Sequence, residues 1–592
     1  MRISCIVNSL SLLSAKKGIY MNNQELYSLW CENATEDKDL IEELHAIAGR
    51  EDEINDRFYK SLEFGTAGLR GVLGAGTNRM NIYTVGQATQ GLAASLLKQY
   101  DAPRVAIAYD SRINSTVFAE RAAMVLAANG VKAYIFKELV PTPVLSFAVR
   151  YLGCQSGIVI TASHNPSKYN GFKCYDPDGY QMTDESAAKT LAEIQSIDMF
   201  KDIKTIPFAQ GLEEGSIEYC ADEVMEAFLA AVEKQSINKG ICASSNLNLI
   251  YSPLNGTGNK PVREILKRIG IQNIKVVPEQ ENPDGNFPTC PYPNPEIRQV
   301  FEKALEMTAQ FDADLILATD PDCDRVGIAV KAANGEYQLM SGNEVGAMLL
   351  EYLLSQRVQK SIMPKEPVAI KSFVTTNIAN KVAAKYGCKI KEVLTGFKYI
   401  GEYITELEKV GKEDNFILGF EESYGYLSGT HARDKDAVVA SMLICEMAAY
   451  YKSIGKSLID VMNELYKEFG IYKHTVISLQ FEGAEGMEKI QNIMSTLRSE
   501  GISSLAGKKV LYFSDYKTLE RTNLSTGESE KILLPTTNAL VYELEDDNLF
   551  IIRPSGTEPK IKAYITACTA TEEEAQALTQ KMQEDFKELI GE

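Results

Sequence analysis

The feature that most constrains this chain is a recurring alternation of short β-branched apolar runs with segments of helical period. Residues 105–109, 131–136 and 157–161 read as strands, and 117–128 and 144–152 as the helices between them. The rhythm returns at 247–251, 261–269, 274–277 and 315–318, and again at 368–371, 378–386, 390–393 and 416–419. Strands alternating with helices build βαβ units, and these build parallel-rich sheets covered by helices. The chain therefore reads as an α/β protein with three blocks of similar plan.

At 592 residues it exceeds the roughly 250–300 that one core supports. From about residue 475 the texture changes. Residues 476–481, 509–513, 539–544 and 548–553 read as strands, and 572–589 as one long amphipathic helix, which makes a smaller α+β domain. Breaks near 215, 340 and 475 give a helical N-terminal extension (1–54) and four domains: 55–215, 216–340, 341–475 and 476–592. The acidic segment 35–55 is expected to cap the first domain, and Met21 to be the start of the chain proper.

The net charge of −19 argues against a general nucleic-acid binder, which needs a basic face, but leaves room for a local cationic pocket. Eleven cysteines without a paired rhythm suit a reducing cytoplasm. No apolar run reaches the roughly 18–20 residues of a membrane span, so no membrane partner is expected.

Five segments carry chemistry. In the first, the apolar run Ile158-Val159-Ile160 stops at Thr161-Ala-Ser163-His164-Asn-Pro166, so a buried strand delivers one hydroxyl onto a loop. The second, Asp320-Pro-Asp322-Cys-Asp324-Arg325 between two apolar strands, sets three carboxylates at alternate positions, where they can converge on one hard cation. An EF-hand fails, because Arg325 stands where the turn glycine would be and Lys331 where the closing Glu would be. Mg2+ suits three protein oxygens better than Ca2+. In the third, Arg553-Pro-Ser555-Gly556-Thr557-Glu-Pro-Lys560 combines hydroxyls, backbone N–H groups and cations that suit a phosphate monoester, although a plain hairpin turn fits equally. In the fourth, Glu421-Glu-Ser423-Tyr-Gly425 follows a strand and suits sugar hydroxyls or a solvated acidic loop; His431 and Lys435 lie downstream. In the fifth, Gly65-Thr-Ala-Gly68-Leu-Arg70-Gly71 reads as a tight loop presenting a guanidinium, and Leu254-Asn-Gly-Thr-Gly258 as a structural βα turn.

Three of these motifs together, the Ser163, Asp320–Arg325 and Arg553–Pro559 segments, resemble the α-D-phosphohexomutase superfamily, and the resemblance spans residues 55–575. It implies four domains around a central cleft, three of them mixed-sheet α/β and the last smaller. It implies that Ser163 is a phosphoserine, and that Asp320, Asp322 and Asp324 hold Mg2+ with an oxygen on Ser163. Arg325, Thr395, Glu421, Ser423 and Lys435 match substrate-contact positions, with His431 a further candidate. Arg553, Ser555, Gly556 and Thr557 match the loop that grips the substrate's phosphate. Lys173 and Arg70 match residues near the reacting hydroxyl, with Lys173 first and His164 second as general base. The activity implied is that of a cytoplasmic phosphoglucomutase, monomeric or weakly associated, activated by glucose 1,6-bisphosphate. Phosphomannomutase and phosphopentomutase stand as alternatives; Phe397 and Tyr426, where the dual-specificity phosphomannomutases have His, favour glucose. A serine hydrolase would need Gly-x-Ser-x-Gly, which is missing, and has no use for the acidic loop. A catalytically dead binding protein would be expected to lack the serine or a metal carboxylate, and all are present.

Overall fold

Parallel strands buried on both faces need continuous apolar sequence, and the runs at Arg104–Tyr109 and Ser156–Ile160 supply it: every residue from 105 to 109 and from 156 to 160 is buried. A computed structural model describes residues 21–65, 68–481, 483–554 and 560–591. The chain divides into two compact units. One comprises residues up to Met340 with Ile400–Phe416 and Tyr424–Lys452; the other comprises Ser341–Tyr399, Ile417–Ser423 and the chain from Ser453 onward. These units are coarser than the domains expected from sequence.

The first unit holds two sheets. In the six-stranded one the order is Gly68–Val72, Tyr169–Tyr175, Ser156–Ile160, Arg104–Tyr109, Lys132–Ile135, Ile217–Tyr219. The last four strands run parallel, and the first two form an antiparallel edge. Because Arg104–Tyr109 and Ser156–Ile160 are parallel neighbours, the loops after both strands emerge side by side. The five-stranded sheet runs Tyr337–Met340, Val326–Lys331, Leu315–Thr319, Asn248–Ser252, Asn273–Val276. Its Leu315–Thr319 and Val326–Lys331 strands pair antiparallel, so the acidic segment is the tip of a hairpin. The turn at 254–258 acts structurally: Thr257 donates through N and Oγ1 to Pro321 O at 2.8 and 3.0 Å. It supports the acidic loop from behind.

In the second unit Lys389–Val393, Val368–Ser372 and Phe416–Glu421 lie side by side. The C-terminal sheet is antiparallel, led by Ile471–Gln480, Lys560–Thr569, Leu549–Pro554, Leu540–Leu544 and Lys508–Asp515. Helices Gly483–Glu500 and Glu572–Ile590 cover one face of it through Ile490, Leu497, Met582 and Phe586. No single described helix is long and apolar enough to cross a membrane. All described cysteines are unpaired.

The N-terminal helices Asn23–Asn33, Lys38–Ala46 and Glu51–Phe58 pack into the core of the first unit. Trp30, the chain's single tryptophan, is 1% exposed and meets Phe58, Tyr83 and Phe200 edge-on at 5.4–5.9 Å. Glu43 accepts from Arg57 Nη1 and from the Ala75 backbone N–H, both at 2.6 Å, which ties these helices to the turn after Gly68–Val72.

Two outcomes follow from these packings. Trp30→Ala should cost the first unit about 3–5 kcal/mol, read as a lower urea midpoint. In the C-terminal sheet, His474 Nδ1 sits 3.0 Å from Thr566 Oγ1, and burial together with the Lys371 charge lowers its pKa to about 3. The unfolded imidazole, near 6.5, binds protons more readily. The stabilising contribution is therefore complete above about pH 6.5 and is lost as pH falls from there towards 3. The loss at pH 5.5 should be about 1 kcal/mol, and His474→Gln should remove that part of the pH dependence of urea unfolding.

Candidate functional site

The serine loop is fixed by its backbone. Ser163 has φ +52°, a left-handed conformation that costs a non-glycine residue energy and persists only where its surroundings enforce it. Here they do. The Ser163 N–H donates to Thr161 Oγ1 at 2.8 Å, and Thr161 Oγ1 donates to Asp110 Oδ2 at 2.6 Å. Arg112, 3% exposed, donates to the carbonyls of Ser163 (2.6 Å), Pro166 (3.0 Å), Tyr169 (2.9 Å) and Asn165. Its Nε lies 3.4 Å from Asp110. Burial pushes the Asp110 carboxyl up, and Arg112 works against that. One buried ion pair thus holds both ends of the loop, and neither residue was marked by sequence. The available signal was Tyr109-Asp-Ser-Arg112 at the end of a strand adjacent to the serine strand.

The fixed loop aims its hydroxyl at the acidic hairpin. Ser163 Oγ donates to Asp320 Oδ2 at 2.9 Å and lies 3.2 Å from His164 Nδ1. Asp320, Asp322 and Asp324 are almost fully buried, and each offers an oxygen within 4.8 Å of the others. Asp320 Oδ1 accepts from the N–H groups of Asp324 (3.1 Å) and Arg325 (2.9 Å). Burial and mutual repulsion raise the carboxyls of Asp320 and Asp324. Burial opposes the charge on Asp322 too, but Lys173 and Lys435 outweigh it and its carboxyl is lowered. Asp322 Oδ1 and Asp324 Oδ1 are buried without a hydrogen-bond partner. Uncompensated carboxylate oxygens converging beside a hydroxyl are the donor set of a hard divalent cation, so these residues fit Mg2+.

Cations surround the cluster. Lys173 Nζ is 3.0 Å from Asp322 Oδ2 and 3.9 Å from Asp324. Lys435 Nζ is 3.1 Å from both Asp324 and Asp434, and its stem crosses Gly425 where any side chain would collide. Arg325 donates from Nη1 to Glu296 at 2.9 Å, with Nε 3.7 Å from Asp324. The Gly65–Gly71 segment differs from the expected loop: Gly68–Val72 is a strand, paired with Tyr169–Tyr175 so that Gly68 faces Lys173 and Arg70 faces Gly171. Gly68 has φ +148°, and a side chain there would strike Phe172 O. Burial, with Arg325 and Arg70, holds His164 well below the usual imidazole range, so its ring is neutral.

His431 is placed otherwise. Its Nε2 is 2.8 Å from Asp436 and its ring lies against Phe228, while Asp436 Oδ1 caps helix Ala437–Ser453 by accepting from Val438 and Val439. That pairing supports a helix cap through Nε2 and leaves His431 Nδ1 without a hydrogen-bond partner.

The second unit gathers a separate group. Gly396 N–H donates to Glu421 Oε1 at 2.8 Å, and Arg553 Nη1 donates to Thr395 Oγ1. Thr395, Glu421 and Arg553 are therefore brought together, with Ser423 half-buried on the following turn. Glu422 Oε2 accepts from Ser372 and Thr375 at 3.2 and 3.3 Å. Tyr564, unmarked by sequence, stands on the same strand face as Arg553; burial, then Glu422, push its hydroxyl up to about 12. Ser555, Gly556 and Thr557 lie outside the described residues.

Family models match the chain in four consecutive segments: phosphoglucomutase/phosphomannomutase alpha/beta/alpha domain I at 61–201, domain II at 226–335, domain III at 341–469, and the C-terminal domain at 517–584. The phosphoglucomutase of Staphylococcus saprophyticus is 36% identical over 539 residues, covering 91% of this chain and 96% of that protein. Two solved structures share the fold. A putative phosphomannomutase from Thermus thermophilus matches with TM-score 0.66 at 22% identity, over 90% of this chain and 99% of its own. The Paramecium phosphoglucomutase parafusin, in an open form, matches with TM-score 0.67 at 17% identity, over 90% and 96%.

The Arg112 clamp makes a measurable difference. Arg112→Met leaves Asp110 buried without its counter-charge and should cost about 3–5 kcal/mol in urea unfolding. Amide exchange across residues 161–170 should rise more than in the neighbouring strands.

Proposed function

This chain belongs to the phosphoglucomutase/phosphomannomutase family, and on that premise we propose that it interconverts glucose 1-phosphate and glucose 6-phosphate through a phosphoserine at Ser163. The observation that carries this reading is the Ser163 hydroxyl, held in a strained loop and aimed at the buried carboxylates of the acidic hairpin. A Ser-His-Asp triad hydrolase has no use for the acidic hairpin, whereas a phosphoryl carrier does.

The transfer balances simply. The bond between phosphorus and Ser163 Oγ breaks, a bond from phosphorus to a sugar hydroxyl oxygen forms, and the hydroxyl proton leaves. The resulting bisphosphate returns its other phosphoryl group to Ser163, and the isomerised monophosphate departs. Glucose 1,6-bisphosphate loads the serine when it is empty. Asp320, Asp322 and Asp324 would hold Mg2+, which would supply positive charge against the transferred group. Arg325 and Arg70 add fixed cations on the same side, and phosphoryl transfer depends mainly on such positioning and charge. The four domain matches support the division into three α/β domains and a smaller fourth.

Two side chains beside the reacting oxygens are candidates to take the proton, Lys173 first and His164 second. Lys173 donates as an ammonium to Asp322, and to act as a base it would have to give that bond up. His164 lies 3.2 Å from Ser163 Oγ, but burial and the flanking arginines hold its ring well below the usual imidazole range and make it a weak base, so it stays second to Lys173. Thr395, Glu421, Ser423 and Arg553 serve recognition, with the carboxylate taking sugar hydroxyls and Arg553 the phosphate that is not reacting.

Purified protein with Mg2+ and trace glucose 1,6-bisphosphate should convert glucose 1-phosphate to glucose 6-phosphate. Its kcat/KM should exceed that for mannose and ribose 1-phosphates, since specificity is a ratio of those values. Intact mass should show one phosphate that Ser163→Ala loses together with turnover. Full turnover by Ser163→Ala would sink the mechanism, and a higher ratio for mannose or ribose would reassign the substrate.

A further inference from the structure

Between helix Pro278–Glu281 and the short helix Arg298–Phe301 run sixteen residues, 282–297, that form neither helix nor strand. Loops of that length inside a compact unit are uncommon, and an ordered one is usually functional. This one is stiff. It holds five of the chain's twenty prolines, at 283, 288, 291, 293 and 295, and each fixes a φ angle. Its own hydrogen bonds fold it, from Cys290 N to Phe287 O at 3.0 Å and from Ile297 N to Asn294 O at 3.0 Å. Gln280 Nε2 anchors it through Thr289 Oγ1 at 2.9 Å.

The loop meets the reaction residues at three places. The Phe287 ring lies 5.1 Å from the Arg112 guanidinium. Tyr292 stands edge-on to His164, with ring centres 6.1 Å apart. Glu296 Oε1 accepts from Arg325 Nη1 at 2.9 Å. The seat of Glu296 is fixed from below. Pro295 packs onto Gly327, where a β-carbon would lie 2.6 Å from Pro295 O, and Asn294 Oδ1 accepts the Glu296 N–H at 3.1 Å. Gly327 lies on strand Val326–Lys331, which Arg325 immediately precedes, so the backbone at Pro295 is seated against the hairpin that carries Arg325.

We propose that Glu296 is a positioning residue for the phosphoryl transfer, holding the Arg325 guanidinium in the orientation in which it meets the group on Ser163. This rests on the function proposed above. Glu296 takes Nη1 in a hydrogen-bonded ion pair at 2.9 Å, while the Asp324 carboxylate lies 3.7 Å from Nε without a hydrogen bond, so Glu296 is the carboxylate that orients this long, flexible side chain. A cation already oriented needs no reorganisation when charge develops on the transferred group. The cost is a negative charge close to where an anionic substrate binds. Glu296 therefore raises kcat without tightening binding, and that split separates positioning from mere structural support.

The test uses the full chain with Mg2+. Glu296→Gln should lower kcat by about tenfold with KM unchanged or lower, and Glu296→Asp, which keeps the charge, should recover part of the loss. In an Arg325→Lys background, Glu296→Gln should cost little more. A second measurement needs no sugar chemistry: phenylglyoxal modification of Arg325, followed by peptide mass, should run several-fold faster in Glu296→Gln than in the parent protein. Unchanged kcat, fully multiplicative losses in the double variant, or an unchanged modification rate would each overturn the proposal. If the parent protein itself fails to turn over glucose 1-phosphate, the function falls, and the modification rates alone decide whether Glu296 holds Arg325.

Discussion

Three buried carboxylates, each offering an oxygen within 4.8 Å of the others, form an electrostatically unfavourable grouping, and the rest of the site is arranged around it. Such charges persist out of water only if paired or bound to metal. The chain answers with two lysines drawn from distant segments, with backbone N–H groups of the hairpin's own turn, and with two carboxylate oxygens left bare for a cation. The strained serine, its neutral histidine neighbour and the flanking arginines all take their electrostatic setting from that cluster.

The same logic explains why the serine loop is held by main-chain contacts. A side chain that donates to four carbonyls fixes a backbone path whatever residues occupy it, and the Asp110–Arg112 pair does this at a point where two parallel strands end together. Strain at Ser163 is thereby borne by a rigid scaffold, and the hydroxyl stays where phosphoryl transfer needs it.

What was legible in the sequence was unusual residue chemistry at the end of a regular pattern. Three aspartates between apolar strands, and a serine closing a β-branched run, announce themselves. What was not legible depends on sheet order. Arg112 reaches the serine loop only because its strand neighbours the serine strand, and Arg70 sits on a strand whose glycines read as a loop until Gly68 is seen packed against Phe172. Helices Gly342–Gln359 and Ala437–Ser453 are buried on nearly all sides and so lack the one-sided stripe that marks a surface helix; the sequence reading assigns neither. The proline-rich loop at 282–297 is assigned no role by sequence, and its contacts with His164 and Arg325 exist only in three dimensions.

The discontinuity of the first unit has a consequence for how the protein is made. Asp324 and the lysine that neutralises it, Lys435, belong to the same unit but lie 111 positions apart in the chain (435 − 324), with residues of the second unit inserted between them. A ribosome working at roughly 5–20 residues per second delivers Lys435 some 5–20 seconds after the aspartates. During that interval the nascent hairpin holds its carboxylates with Lys173 alone among the two lysines. The native charge balance of the first unit is therefore a late event of synthesis, reached only after part of the second unit has already emerged.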